Sequence, residues 1–183
     1  MAFLNAARRL AFALVLGAAA GPVAVSAQGL EYEVKAAFVF NFIQFVQWPA
    51  TMSQTSAPIR VCLYGENPFG QTLERTVQGE QVNGRSIEIE IVAVDAPLTQ
   101  CHVLFVPQSQ SDIEGVAVRA ARGPILTIGE SPDFIKAGGM INLFVEQGRV
   151  RFDVNLAAVA ARELSLSSRL LRVARSTSET GDR

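Results

Sequence analysis

The sequence predicts an α/β fold: one three-layer domain with helices on both faces of a mostly parallel, five- to six-stranded sheet that ends in an antiparallel C-terminal hairpin. Short apolar runs alternate with segments of helical periodicity, which is the pattern of βαβ units. Residues 86–94 alternate isoleucine with glutamate, as a half-buried strand does. Two late apolar runs flank a Gln147-Gly148 turn, which predicts the hairpin.

The elements follow in order along the chain. A helix is predicted over residues 30–48, and Pro49 ends it because the residue before a proline avoids helical geometry. Further helices are predicted to begin near residues 67, 111 and 132, and after Asn155, whose side chain suits a cap. The six strands are predicted at residues 59–64, 86–94, 101–106, 124–128, 140–145 and 150–154. We expect the order 2-1-3-4-5-6 in the sheet.

The two ends of the chain differ in composition from this domain. Residues 1–27 have the features of a signal peptide: Arg8 and Arg9, an apolar run, and small residues before a mature start at Gln28. An uncleaved anchor is the alternative. The domain then covers residues 28–175, and the polar residues 176–183 are predicted to be a disordered tail.

The charge of the exported chain argues against some classes of partner. Removing residues 1–27 leaves 14 basic and 17 acidic side chains, a net charge of about −3. The basic residues form no continuous stripe, so we expect no nucleic-acid partner.

Two cysteines, Cys62 and Cys101, lie in the mature part of the chain. An oxidising compartment favours a disulfide between them over two free thiols. In the predicted strand order they lie at the same end of neighbouring strands, within the reach of such a bond.

The residues of common catalytic centres are missing from the sequence. The chain has one histidine, His102, and no nucleophile elbow, phosphate-binding loop or zinc-protease motif. We therefore predict no enzyme activity, no catalytic residues, no metal site and no cofactor. An enzyme is the least favoured of three classes of function.

A small-ligand or sensor module is the second class. Loops after strands one, three and four should meet at the carboxyl ends of the strands, where open α/β sheets bind ligands. The loops contain no lysine or arginine, so an anion there would depend on backbone amides. The candidate crevice residues are Glu66, Asn67, Ser109, Glu130 and Ser131.

A regulatory binding protein is the favoured class, because it needs an apolar surface rather than reactive groups. The first helix is rich in aromatic residues and the C-terminal third is rich in arginine. Core packing and solvated surface are the alternatives for these residues. The candidate partner-binding residues are Phe38, Phe42, Phe45, Trp48, Arg151, Arg162, Arg169 and Arg172.

Four segments together resemble the YfiR family. They are KAAFVFNFIQFVQWP (35–49), VCLYGENPFG (61–70), ILTIGESPDF with GGMINLF (125–144), and VRFDVNLAAVAARELSLSSRLLRVA (150–174). The match follows the same order over nearly the whole mature chain.

The resemblance implies a periplasmic repressor that binds the periplasmic domain of an inner-membrane diguanylate cyclase and so controls cyclic-di-GMP and biofilm formation. It also implies an outer-membrane lipoprotein as a possible second partner and a redox-sensitive disulfide, for which Cys62 and Cys101 are the matching positions. The second cysteine pair of some members is absent, so a structural bridge is the favoured role. We also expect that the apolar surface of the candidate partner-binding residues could form a homodimer.

Overall fold

A computed structural model describes residues 27–53 and 55–178 as alternating helices and strands. The helices are α1 (Ala27–Phe45), α2 (Ala50–Ser53), α3 (Thr72–Val77), α4 (Ile113–Ala120), α5 (Leu156–Ala160) and α6 (Ser168–Leu171). The strands are β1 (Val46–Gln47), β2 (Ile59–Tyr64), β3 (Gln81–Val82), β4 (Arg85–Val92), β5 (Val103–Val106), β6 (Leu126–Gly129), β7 (Ile141–Glu146), β8 (Arg149–Asn155), β9 (Ser165–Leu166) and β10 (Ser176–Ser178). The predicted signal peptide lies outside the described residues except for Ala27.

The main sheet has eight strands in the order β10-β8-β7-β6-β5-β2-β4-β3. Its six inner strands are those predicted, and their order confirms 2-1-3-4-5-6. The four pairings from β4 to β7 are parallel, whereas β7 and β8 form the expected antiparallel hairpin. Gln147 and Gly148 both have positive φ, as a tight two-residue hairpin turn requires.

Helices and loops cover both faces of this sheet, which confirms the three-layer class. Alternation along each inner strand sends Val61 and Leu63 to one face and Cys62 and Tyr64 to the other. The first face packs against α1, α3, α5 and α6. The second packs against α4 and Phe134.

Helix α1 ends earlier than its hydrophobic pattern predicts. It stops at Phe45, and the next two residues pair with β9 in a separate two-stranded sheet: Val46 lies opposite Leu166, and Gln47 opposite Ser165. The sequence cannot reveal this, because the pairing joins segments about 120 residues apart. Strand β9, at Ser165 and Leu166, separates α5 from α6 and is the other half of the same feature.

Two local expectations differ from the structure. Asn67 accepts a hydrogen bond from the Phe69 amide, in a turn before α3, and does not cap that helix. Residues 131–139 form turns rather than a helix. A Cβ added to Gly139 would lie 2.2 Å from the ring of Phe134, so this glycine lets the ring pack onto the sheet. The predicted cap at Asn155 is confirmed by a hydrogen bond from Ala158.

The C-terminal tail is also partly ordered. Ser176–Ser178 form β10, parallel to the last three residues of β8, although the sequence predicts disorder from residue 176. Arg175 and Ser176 bind the carboxylate of Asp153 and hold the segment there. A polar strand can form at this place because the backbone of β8 supplies its hydrogen bonds. Residues 179–183 lie outside the described residues.

The two cysteines are joined, as predicted. Cys62 in β2 bonds to Cys101, which lies two residues before β5, with their Cα atoms 5.8 Å apart. Both residues are buried in the core of the second face. The bond closes a loop over a sequence separation of 39 residues.

We expect Cys62→Ala to lower the free energy of unfolding by about 2–4 kcal/mol, because the open chain regains the entropy that the loop had lost. Urea denaturation of the variant beside the native and reduced wild type measures this. The reduced wild type should match the variant within about 1 kcal/mol. Equal stability of reduced and native wild type would contradict the prediction.

Candidate functional site

The three loops predicted to form a crevice do meet at the carboxyl ends of β2, β5 and β6. The hydroxyl of Ser109 donates to the carboxylate of Glu66, and the backbone amide of Gln108 lies 3.4 Å from the carboxylate of Glu130. The side chain of Asn67 forms hydrogen bonds with the backbone of Phe69 and Gly70 in its own loop. The backbone carbonyl of Ser131 accepts from Phe134 in the turn that follows β6.

Helix α1 fills this crevice with two of its own side chains. The ammonium of Lys35 binds the carboxylate of Glu130, and the hydroxyl of Tyr32 lies 3.2 Å from the same carboxylate. Lys35 also contacts Glu31, one helical turn earlier, at 2.5 Å. Lys35 and Glu130 are only 4% and 5% exposed. The three loops contain no lysine or arginine, but Lys35 of α1 supplies a positive charge to the crevice.

The electrostatics of this cluster keep Tyr32 neutral. Burial, followed by the negative charges of Glu130, Glu31 and Glu66, raises the pKa of Tyr32 well above its usual value. The phenol is thus a hydrogen-bond donor at any physiological pH. The carboxylate of Glu130 joins α1 to the sheet, and its oxygens are occupied by Lys35, Tyr32 and the amide of Gln108. This cluster therefore offers no free base or nucleophile.

The sequence analysis missed Lys35 and Tyr32 as parts of this cluster. Glu31 and Lys35 are spaced four residues apart, which predicts a helical ion pair on a solvated face. The burial of Lys35 depends on where α1 crosses the sheet, and no local pattern carries that information.

The candidate partner-binding residues lie in two separate places: the first is beside the β7–β8 hairpin, and the second is at the C-terminal end of α1. Phe42 is fully buried, with its ring 5.0 Å from that of Phe152, so it is a core residue and offers no surface. Phe38 is half-buried next to the β7–β8 hairpin. Phe45 and Trp48 are half-buried at the other end of α1, where the Phe45 carbonyl accepts from Ser167.

The four predicted arginines divide in the same way. Arg151 is exposed on β8, close to the first place, whereas Arg169 and Arg172 are exposed in and after α6, close to the second. Arg162 is half-buried and donates to the carbonyl of Ala161.

The first place contains an apolar groove between the N-terminal half of α1 and the tip of the β7–β8 hairpin. The groove has a volume of about 540 Å³. Three large apolar side chains in it are well exposed: Leu30 at 57%, Val34 at 38% and Val145 at 48%. Phe38 and Val150 complete its floor. Clustered exposed apolar residues of this kind typically mark a binding surface.

The single histidine is part of a structural network. Arg85 is buried in β4 and donates to the carbonyls of Met52, Ala57 and Pro58 and to Nε2 of His102, 2.7 Å away. Arginine can only donate, and the backbone N–H of Arg60 points at Nδ1 of the same ring, so both ring nitrogens face donors and a second ring proton is disfavoured. Burial, then the charges of Arg85 and Arg60, lowers the pKa of His102 from 6.5 to about 4. The network fastens the segment before β2 to the sheet.

Within the described ranges, no group of three histidine, cysteine, aspartate or glutamate residues is arranged to hold a metal ion. None of the helices there is long and apolar enough to cross a membrane.

Breaking the buried ion pair should be costly. We expect Lys35→Met to lower the free energy of unfolding by about 3–5 kcal/mol, because Glu130 keeps a buried charge without its cation. Adding Glu130→Gln should restore much of the loss in denaturant titrations. Lys136→Met is the matched control, since Lys136 pairs with Asp133 at an exposed site and should cost less than about 1 kcal/mol. Equal losses for the two lysine variants would contradict this account.

Acid should weaken the fold through His102. The folded state holds the pKa of this group near 4 and the unfolded state near 6.5, so the unfolded chain binds more protons between these values. The contribution of His102 to stability is complete above pH 6.5 and is lost as the pH falls toward 4. In urea titrations across this window, His102→Gln should lose less stability than the wild type. Parallel curves for the two proteins would show that His102 does not titrate as described.

Two solved structures share the fold. A conserved domain protein from Vibrio cholerae O1 biovar El Tor has a TM-score of 0.57 and 11% identity over 80% of this chain. An ABC domain in complex with L-Trp from Streptococcus pneumoniae has a TM-score of 0.50 and 10% identity over 66% of this chain. The alignments span 60% and 55% of those two chains, and at such identities the likeness shows the fold alone.

A family model described as YfiR/HmsC-like matches residues 32–175, which span every inner strand of the sheet, the filled crevice and most of the groove. YfiR-like proteins are periplasmic, and they are regulatory rather than catalytic. The chain belongs to the YfiR/HmsC-like family.

Proposed function

We propose that this protein is a periplasmic regulator that restrains an inner-membrane diguanylate cyclase by protein–protein contact, and so controls cyclic-di-GMP and biofilm formation. Family membership carries the proposal. A signal peptide over residues 1–27 would deliver the chain to the periplasm. An outer-membrane lipoprotein is proposed as a second partner that competes for the regulator.

The groove between α1 and the hairpin supports a role in binding. A repressor acts by binding one state of its target more tightly than another, which requires a shaped surface and no chemistry. The groove presents Leu30, Val34 and Val145 to solvent beside the exposed Arg149 and Arg151. An apolar centre with a charged rim is typical of protein interfaces.

A small-ligand module has less support. In open α/β sheets the ligand occupies the crevice at the strand ends, but here Lys35 and Tyr32 lie in that crevice and bind Glu130. The solved domain with bound L-Trp shares only the fold. A metabolite panel that raised the melting temperature in a concentration-dependent way would revive this alternative.

The proposal predicts a partner in the membrane and a change in the second messenger. A tagged mature chain, residues 28–183, should retain a diguanylate cyclase from detergent-solubilised inner membranes, identified by mass spectrometry. Deleting the gene should raise cyclic-di-GMP and biofilm mass. Lys136→Met, an exposed change remote from the groove, is the control bait and should retain the same cyclase. Unchanged cyclic-di-GMP together with no retained cyclase would reject the proposal.

A further inference from the structure

We propose that the edge of β8 beside the groove takes an extended segment of a partner protein by strand addition, and that this segment carries an apolar residue flanked by acidic ones. The inference rests on the proposed function, which calls for a protein partner. It adds the mode of docking and the chemistry of the docked segment.

The first argument is the unpaired backbone of β8. In a hairpin with a two-residue turn, Glu146 and Arg149 form a hydrogen-bonded pair, so the N–H and C=O of the next residue, Val150, point away from β7. The neighbouring outward carbonyl, that of Phe152, accepts from Arg175. Strand β10 begins only opposite Asp153. Within the described part of the chain, the outward groups of Val150 have no backbone partner.

The edge already accepts one extended segment. Ser176–Ser178 pair in parallel with residues 153–155, although these serines and threonine bring no apolar side chain to the core. The backbone of β8 orders this segment together with the side-chain bonds that Arg175 and Ser176 make to Asp153. The stretch beside Val150 offers the outward N–H and C=O of that residue and, in addition, an apolar groove.

Alternation along β8 decides which side chains a docked segment would need. Val150 faces the groove together with its cross-strand neighbour Val145. Alternation along the strand directs Arg149 and Arg151 to the opposite face of the hairpin, although Arg149 also lines the groove at the hairpin tip. A residue paired with Val150 would project into the groove toward Leu30 and Val34. Its two neighbours in sequence would project toward the arginines.

Charge selects acidic residues at those two neighbouring positions. Arg149 and Arg151 are exposed and make no ion pair with any described residue. Arg175 lies on the same face, but Glu146 and Asp153 already neutralise it. Glu31, the acidic residue in the groove, shares Lys35 with Glu130. On the hairpin face, the three arginines Arg149, Arg151 and Arg175 oppose the two carboxylates of Glu146 and Asp153, so the excess positive charge of one unit lies on the two arginines that make no ion pair.

The same charges disfavour a second copy of this chain as the occupant. Pairing two β8 edges would bring Arg149 and Arg151 of one copy beside those of the other, and like charges directly opposite each other destabilise a strand pair. A partner segment with the pattern acidic–apolar–acidic satisfies the backbone, the groove and the arginines together.

Binding of a short peptide to the mature full chain tests the inference. The probe is a fluorescent peptide of sequence Glu-Val-Glu-Leu-Glu with blocked ends, and the matched probe replaces each glutamate with lysine. We expect the acidic peptide to bind at least about tenfold more tightly by fluorescence anisotropy, with binding that weakens in high salt. Equal affinity for the two peptides, or no binding of either, would overturn the proposal.

Three variants locate the contact. Arg149→Glu with Arg151→Glu should weaken the acidic peptide about tenfold or more, whereas Arg122→Glu, at an exposed arginine after α4, should leave the affinity unchanged. Val150→Pro removes the outward N–H and leaves the bonds to β7 in place, so it should abolish binding. Leu30→Glu tests the apolar part of the proposed site. Leu30 is exposed on α1, so this substitution should not impair folding. Wild-type affinity in the double arginine variant and in Leu30→Glu would overturn the proposal.

The outcomes separate this inference from the proposed function. If the double arginine variant and Leu30→Glu still retain the cyclase from membranes, the strand-addition site is wrong and the regulatory function stands. If the wild type binds the acidic peptide but retains no cyclase, the docking site stands and the proposed target is wrong. If the variants alter self-association without altering peptide binding, a second copy occupies the edge and the inference fails.

Discussion

Helix α1 packs on the sheet through its buried apolar side chains, and the ion pair between Lys35 and the buried carboxylate of Glu130 fixes its N-terminal half at the carboxyl end of the strands. Burying two charges is expensive, and the cost is offset only when every hydrogen-bonding group finds a partner in good geometry. Tyr32, Glu31 and the amide of Gln108 supply such partners. The pair therefore adds little net stability, but it admits one placement of α1 and penalises others.

That placement has two consequences for function. It places Lys35 and Tyr32 in the crevice at the carboxyl ends of β2, β5 and β6, the position at which open α/β sheets generally bind ligands. It also extends the first turns of α1 beside the projecting β7–β8 hairpin, where Leu30 and Val34 cannot be buried by the sheet. The Lys35–Glu130 ion pair therefore occupies the strand-end crevice and leaves an apolar groove exposed beside the hairpin. This arrangement agrees with membership of a regulatory family.

The opposite end of the sheet is fixed by different means. The bond between Cys62 and Cys101 and the network around Arg85 and His102 both fasten segments that enter the strands at their amino ends. The apolar groove between α1 and the β7–β8 hairpin lies at the carboxyl end, remote from both. The disulfide and the Arg85 network thus secure one end of the sheet, and the groove lies at the other.

The sequence by itself determined the elements whose signal is local. Six strands, their order, the hairpin turn at Gln147-Gly148, the cap at Asn155 and the disulfide all follow from periodicity, turn chemistry and chain-crossing rules.

Only the tertiary structure decided what depends on distant contacts. The end of α1 at Phe45 follows from pairing with β9, and β10 forms because the edge of β8 was vacant. The burial of Phe42, the meeting of Lys35 with Glu130, and the groove beside Val150 depend on how α1 crosses the sheet. A local pattern records which residues are apolar, but the angle between a helix and a sheet decides which of them remain exposed.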